Sequence, residues 1–271
     1  MDKKTSVIIP YYHNEEFIVQ AIESIEKQTQ AVREIIIVND GPTKSSRAFL
    51  ATFSNRVTIV EHAKNRGIAH ARNTGVKHAS GEYVAFLDAD DVWYPEKIAL
   101  QENYLNQNLA VAACHTGTAI FKHELIAEEY CLDKPAVLTI SDCLIDSHVL
   151  PSTLLIRRAV FNSSGGFDPS IRVEDYDFWL VLLKQGHEIH YINQALTWFR
   201  RAGHGNESGK WQYIYYGRLQ VLRKHWRTIY EVGGILAIAK NLQRTFELAC
   251  WRAPKPRYYI FRLMAAILPS S

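Results

Sequence analysis

Cysteine is scarce and scattered in this chain. Cys114, Cys131, Cys143 and Cys250 are the only four in 271 residues, and no two form a Cys-x-x-Cys pair. That spacing argues against a disulfide-built scaffold and a cysteine zinc site, and suits a reducing compartment. No apolar stretch approaches the ~20 residues that a membrane-crossing helix needs. The N-terminus, Met-Asp-Lys-Lys-Thr, leads straight into a β-branched run without the pattern of a signal peptide. The expected location is therefore cytoplasmic. No internal repeat or low-complexity linker is visible. What is present is globular: 47% hydrophobic and 22% charged residues supply ample core for one or two domains.

Acidic charge is the other thing in short supply, in one region only. Residues 209–271 hold 11 Lys+Arg against 2 Asp+Glu, a net of +9, so the first 208 residues carry 20 minus 26, or −6. The basic stretch is also aromatic, with Trp211, Tyr215, Trp226, Trp251 and Tyr259 among its rings. Such a segment fits an anionic membrane surface, and equally a helical subdomain with a solvated basic face. No recognition motif accompanies the charge to suggest nucleic acid.

The most informative stretch is 83–94, an apolar run that ends in Asp88, Asp90 and Asp91. The run reads as a buried strand with the carboxylates where it leaves the sheet. Like charges so close resist ionising together, and a hard divalent cation relieves them. Asp88 and Asp90 share strand parity and can face the same way. A surface turn with a helix cap is the alternative.

Upstream, 6–10, 34–38 and 57–60 read as strands, and the helices between them include one starting near Asn14 with an apolar face of Phe17, Ile18, Ala21, Ile22 and Ile25. A helix over 67–79 precedes the 83–87 strand, and another over 95–107 follows it. Strands alternating with helices imply a mostly parallel sheet whose ligands bind beyond the strands' carboxyl ends. Asp40 and the 88–91 cluster both follow such ends. Farther on, 110–114, 118–122, 153–157, 187–192 and 196–200 are strand-like, 131–139 is a loop, 174–185 a helix, and 211–227 a long helix.

Six fragments in order carry a family resemblance. They are Ser-Val-Ile-Ile-Pro-Tyr-Tyr-His-Asn-Glu-Glu (6–16), Ile-Ile-Ile-Val-Asn-Asp-Gly (35–41), Asn-Arg-Gly-Ile-Ala-His-Ala-Arg-Asn-Thr-Gly (65–75), Gly-Glu-Tyr-Val-Ala-Phe-Leu-Asp-Ala-Asp-Asp (81–91), Gly-Gly-Phe-Asp (165–168) and Glu-Asp-Tyr-Asp-Phe-Trp (174–179). Together they resemble inverting nucleotide-sugar glycosyltransferases of family 2. The resemblance implies an α/β fold of GT-A type: a Rossmann-like, mostly parallel sheet flanked by helices. That domain would span 1–208, with a nucleotide-binding half over about 1–115 and an acceptor half over about 116–208. A helical, basic extension would follow over 209–271.

The resemblance also implies roles. Asp88 and Asp90 would hold Mg²⁺ or Mn²⁺ against the donor diphosphate, Asp90 by direct coordination, with His204 completing the shell or contacting phosphate. Asp91 would ligate, orient Asp90 or cap the next helix. Pro10, Tyr12 and Asp40 would form the nucleotide slot of a UDP- or TDP-sugar. Arg72 would contact phosphate or base, or else form a salt bridge on an exposed helix face. Asp175 would be the base that activates the acceptor hydroxyl, with Glu174 orienting the acceptor or sharing that role, although helix-dipole complementation alone explains acids there. Trp93 would stack on sugar, line the acceptor cleft or belong to the core. The acceptor would be a carbohydrate or a lipid-linked sugar, with peripheral contact at the inner face of the cell membrane through 209–271. Two rivals remain: a phosphatase of the haloacid dehalogenase type using Asp88 and Asp90, and a non-catalytic binding protein on the same scaffold.

Overall fold

The computed structural model describes residues 3–13, 15–121, 126–201 and 209–267. The chain forms two compact units. The first comprises Met1–Val137, Val149–Phe167 and His187–Ala202; the second comprises Leu138–His148, Asp168–Gly186 and Gly203–Ser271.

In chain order the elements are β1 (Thr5–Tyr11), α1 (Glu15–Glu26), β2 (Glu34–Asp40), α2 (Lys44–Ala51), β3 (Thr58–His62), α3 (Ile68–His78), β4 (Tyr83–Phe86), β5 (Val92–Trp93), α4 (Lys97–Gln107), β6 (Ala113–Phe121), β7 (Glu129–Cys131), β8 (Val137–Leu138), β9 (Leu155–Arg157), α5 (Arg158–Ser163), α6 (Glu174–Lys184), β10 (Ile189–Arg200), α7 (Trp211–Cys250) and α8 (Lys255–Ile267).

The sheet runs β3-β2-β1-β4-β9-β6-β10-β5, with β7 beside β6. Strands β3, β2, β1 and β4 are parallel, while β9 runs antiparallel to β4 and to β6. Strands buried on both faces read as continuous apolar runs, and Val7, Ile8, Ile9, Ile36, Ile37 and Val38 are all fully buried. From β1 the chain moves outward to β2 and β3, then returns to β4 on the other side of β1. That reversal opens a crevice beyond the carboxyl ends of β1 and β4.

Helix α1 lays Ile18, Ala21, Ile22 and Ile25 on the sheet. Helix α3 approaches β1 at Gly75, where a Cβ would lie 2.4 Å from Ile8 Cγ2; only glycine fits that close crossing. Asn14, the expected cap of α1, lies outside the described residues.

Four expected boundaries differ. The 110–114 and 118–122 runs join in one strand, β6. The 187–192 and 196–200 runs likewise join in β10, which absorbs the break by register shifts between Ile192 and Ala195 and between Ala195 and Thr197; bulges keep pairing through residues that periodicity alone reads as a gap. The 131–139 loop contains β8 and the last residue of β7. The helical residues of α7 run past Arg227 to a break at Gly234, which has φ 65° and ψ −164° and joins two helices; the second returns along the first, with Arg218 Nε donating to Thr245 Oγ1 at 3.1 Å and the Tyr215 and Phe246 rings 6.0 Å apart.

In the second unit, α6 buries Tyr176, Phe178, Trp179, Leu180 and Leu182. Arg218 of α7 donates to Asp146 at 3.1 Å and to the Ile145 carbonyl. Helix α8 packs Phe261 and Ala265 on Phe246, Ala249 and Cys250 of α7.

Candidate functional site

Strand β4 ends at Phe86, and the acids follow it in a turn along which burial alternates. Asp88 and Asp90 are half-buried, whereas Ala89 and Asp91 are buried. The Asp91 N–H donates to the Asp88 carbonyl at 3.0 Å, closing a turn, and the Asp88 N–H donates to Ser152 Oγ at 3.1 Å. Arg72, reaching from α3, donates from Nη2 to Asp88 Oδ1 at 2.6 Å.

Asp91 has a different environment. It is 1% exposed. Its Oδ1 accepts from the Arg200 N–H at 3.1 Å, and its Oδ2 carries no hydrogen bond. Burial, then the charges of Asp90 and Asp88, push its carboxyl well above the usual range. It does not cap the next helix, which starts only at Lys97.

A cation suits this edge: two half-exposed carboxylates flank a buried third whose ionisation they oppose. Among the described residues no group of three or more His, Cys, Asp and Glu side chains forms a ready-made metal cage. Asp88 and Asp90 would therefore supply two oxygens to an ion that draws its remaining ligands from water and phosphate, as Mg²⁺ commonly does. His204 lies outside the described residues.

Two arginines frame the edge. Arg200, at the end of β10, donates from Nε to the Asp90 carbonyl at 2.9 Å and from Nη2 to Gln20 at 2.7 Å. Its guanidinium lies 4.4 Å from the Phe17 ring centroid and 4.3 Å from that of Phe121. Arg72 is 2% exposed, so the exposed-face salt bridge is excluded; its buried guanidinium pairs with the half-exposed Asp88 and lies 5.5 Å from the Phe167 ring centroid.

Phe167 is held in turn by Asn73, whose Nδ2 donates to the Phe167 carbonyl at 2.7 Å and whose Oδ1 accepts from its N–H at 3.0 Å. Gly166 permits this clasp, with φ 71° and a Cβ position only 2.7 Å from Asn73 Oδ1. Ser152, Arg200 and Asn73 were not among the residues anticipated for the site.

On the β1–β2 side, Tyr12 is 49% exposed and meets the His13 ring edge-on at 4.2 Å, beside half-buried Pro10. Asp40 is buried and heavily engaged. Its Oδ1 lies 2.7 Å from His62 Nδ1 and accepts from the Arg66 N–H at 2.8 Å, and its Oδ2 accepts from the Gly67 N–H at 2.8 Å. Asp40 therefore closes the 65–67 loop over the end of β2, with one Oδ2 lone pair left for a ring N–H.

Trp93 corrects the cleft reading. It is 3% exposed, its indole N–H donates to the Ser152 carbonyl at 2.8 Å, and the Lys97 ammonium covers its ring at 4.1 Å. No ring face is left for a sugar.

In the second unit, the acids that open α6 have separate environments. Asp177 is 1% exposed and binds Lys224 Nζ at 2.8 Å and His225 Nε2 at 2.7 Å, anchoring α7. Glu174 is buried and accepts from the Tyr213 hydroxyl at 3.3 Å. Asp175 alone stays half-exposed, its Oδ1 accepting from the Tyr176 N–H at 2.8 Å.

Comparison with known proteins agrees with this architecture. Residues 6–163 match the family described as glycosyl transferase family 2. The chain is 31% identical over 212 residues to the glycosyltransferase TuaG of Bacillus subtilis (strain 168), named for teichuronic acid biosynthesis, covering 76% of this chain and 82% of that protein. It is 29% identical over 187 residues to the UDP-Glc:alpha-D-GlcNAc-diphosphoundecaprenol beta-1,3-glucosyltransferase WfgD of Escherichia coli, covering 69% and 72% respectively. Among solved structures, the Pyrobaculum calidifontis mannosyltransferase PcManGT, in complex with GDP-Man and Mn²⁺, superposes with a TM-score of 0.66 at 18% identity, covering 97% of this chain and 80% of that one. The sheet is thus of GT-A type, the phosphatase and non-catalytic readings fall away, and the chain belongs to glycosyl transferase family 2.

Proposed function

We propose that this glycosyltransferase moves a sugar from a nucleoside diphosphate donor, a UDP- or TDP-sugar, to an acceptor hydroxyl by single displacement with inversion, in polysaccharide or glycolipid assembly. The observation that carries the reading is the acidic edge at the strand-order reversal, with Asp88 and Asp90 facing out between Arg72 and Arg200. A Mg²⁺ or Mn²⁺ ion held by Asp88 and Asp90 would neutralise charge developing on the departing diphosphate.

Around it, Arg72 and Arg200 supply fixed positive charge in a largely desolvated setting, where it counts most. Pro10, Tyr12 and Asp40 border the nucleoside. Tyr12 offers an exposed ring for stacking, and Asp40 offers its remaining lone pair to a ring N–H. Asp175 is the base for the acceptor hydroxyl; support comes from its half-exposure and its match to the Glu-Asp motif. Glu174, buried against Tyr213, fits a positioning part better than contact with acceptor. The relative WfgD, by its name, takes a glucosyl group from UDP-Glc to a diphosphoundecaprenol-linked sugar, which supports a uridine donor and a lipid-linked acceptor here.

The outer face of α8 supports contact with a membrane surface on the cytoplasmic side. Tyr259, Ile260, Leu263 and Met264 are exposed opposite the face that packs on α7, Trp251 is 84% exposed just before it, and Arg252, Lys255, Arg257 and Arg262 are the only charged residues over 251–267. No helix among the described residues is long and apolar enough to cross a membrane.

The test is donor turnover and UDP binding with and without Mn²⁺. Asp90→Ala is expected to lose metal-dependent UDP affinity in calorimetry. Asp175→Asn is expected to keep that affinity and lose about 10²- to 10⁴-fold in transfer rate, the usual contribution of a general base. Unchanged affinity in the first variant, or unchanged turnover in the second, overturns the assignment concerned.

A further inference from the structure

We infer that a basic groove in the second unit, between Arg172 and α7, binds the diphosphate group of the acceptor. The inference rests on the transferase reading above and extends it to the acceptor's chemistry.

The groove has a volume of about 410 Å³ and is lined by Arg172, Tyr216, Leu219, Gln220 and Arg223. Residues 216, 219, 220 and 223 recur at helical spacing and share one face of α7. Three features build the opposite wall. Gly217 lets α7 come close, since a Cβ there would lie 3.0 Å from Val173 Cγ1 and 3.1 Å from Arg172 Cβ. Gln220 grips the loop, accepting from the Arg172 N–H at 3.1 Å and donating to the Ser170 carbonyl at 2.9 Å. The Arg172 guanidinium is 5.6 Å from the Tyr216 ring centroid, which orients its fork.

Charge selects the ligand. Lys224, next in sequence, is consumed by Asp168 and Asp177, each at 2.8 Å. Neither Arg172 nor Arg223 has a carboxylate partner among the described residues, and no acid lines the groove. Two uncompensated guanidiniums suit a ligand with adjacent oxyanions, which each fork binds bidentately. Arg172 stands three residues before Asp175, so a diphosphate held there would be close to the residue proposed to take the acceptor's proton. Neither arginine belongs to the donor-binding residues described above.

The experiment is calorimetric titration of sodium diphosphate into the full chain without divalent cation, in wild type and in Arg172→Gln/Arg223→Gln. The double variant should bind at least about tenfold more weakly, the worth of one charge-assisted hydrogen bond; equal affinities overturn the site. Acceptor kinetics then test its use. The variant should raise KM at least tenfold for a sugar on a polyprenyl diphosphate, and leave KM unchanged for the same sugar on a p-nitrophenyl aglycone and donor hydrolysis intact. Equal KM shifts for both acceptors overturn the inference. So does a variant that loses only binding to phosphatidylglycerol vesicles, since the groove would then read a lipid headgroup. Absence of donor turnover in wild type would instead count against the transferase reading, with the diphosphate titration still standing on its own.

Discussion

Lys97 shows how far a single residue can depart from what its type suggests. It opens α4, fully buried, with Nζ donating to Gln101 Oε1 at 2.6 Å and lying over Trp93. Burial lowers its ammonium to about 7, with only Cys114 opposing. A lysine lowered in the folded state holds fewer protons there than in the unfolded chain, between about pH 7 and its ordinary value near 10.4. Stability attributable to Lys97 therefore rises as pH climbs through that window and is lowest below it. Urea midpoints at pH 7.0 and 9.5 should show the rise in wild type and a smaller one in Lys97→Met, whose pH 7.0 midpoint should be the higher of the two; parallel shifts in both proteins would refute this. Asp168 is lowered too, so its contribution also rises with pH, but here it is the charged form that the fold favours. Although partial burial opposes it, Lys224 and Ser170 bring its carboxyl down to about 2, so its contribution is present at neutral pH and lost only as pH falls toward 2.

Among the elements, α7 depends most on one backbone angle. Gly234 holds φ 65° and ψ −164° between the two helices of α7, a region open essentially to glycine alone. Beside it, a Cβ on Gly233 would sit 2.5 Å from Ala237 Cβ and 2.8 Å from Leu144 Cδ1. The kink thus lets Leu144, Ile229 and Ala237 close one small core. Gly234→Ala should destabilise the protein by about 1–3 kcal/mol, read as a lower urea midpoint, with Gly209→Ala, in open space without positive φ, as the silent control. The expected end of this helix near Arg227 falls short of its break at Gly234. The glycine pair does end the first helix, and the second folds back along it because Leu144, Ile229 and Ala237 then share one core. The β-strands were easier to read, because β1, β2 and β4 are uninterrupted apolar runs buried on both faces.

At the scale of the whole molecule, charge is partitioned along the chain, −6 over the first 208 residues and +9 over the remainder. If α8 meets an anionic surface, vesicles containing phosphatidylglycerol should retain the full chain at low salt. Removing 251–271, or changing Ile260 and Leu263 to Gln, should abolish retention, and about 0.5 M NaCl should weaken it by screening the basic residues. Equal retention of wild type and variants would exclude the face; retention by neutral phosphatidylcholine vesicles alone would exclude the electrostatic part. A concentration-dependent change in sedimentation without lipid would identify the face as a contact between copies instead.

Periodicity along the chain is sufficient to set the β/α alternation and the carboxyl-edge position of the acids, because the strand and helix periods depend only on neighbouring residues; the exposure of Asp88 and Asp90 comes instead from the turn that the Asp91 N–H closes on the Asp88 carbonyl. Partners were decided by tertiary structure. Ser152 and Arg200 reach the acidic turn from 64 and 109–110 residues away. Trp93 became core instead of cleft because Ser152 and Lys97 close over it, and Asp40 became the keystone of the 65–67 loop because β2 ends beneath that loop. Such contacts arise only when crossovers bring remote segments together, and burial then turns a polar side chain that is unremarkable in isolation into one that must be paired.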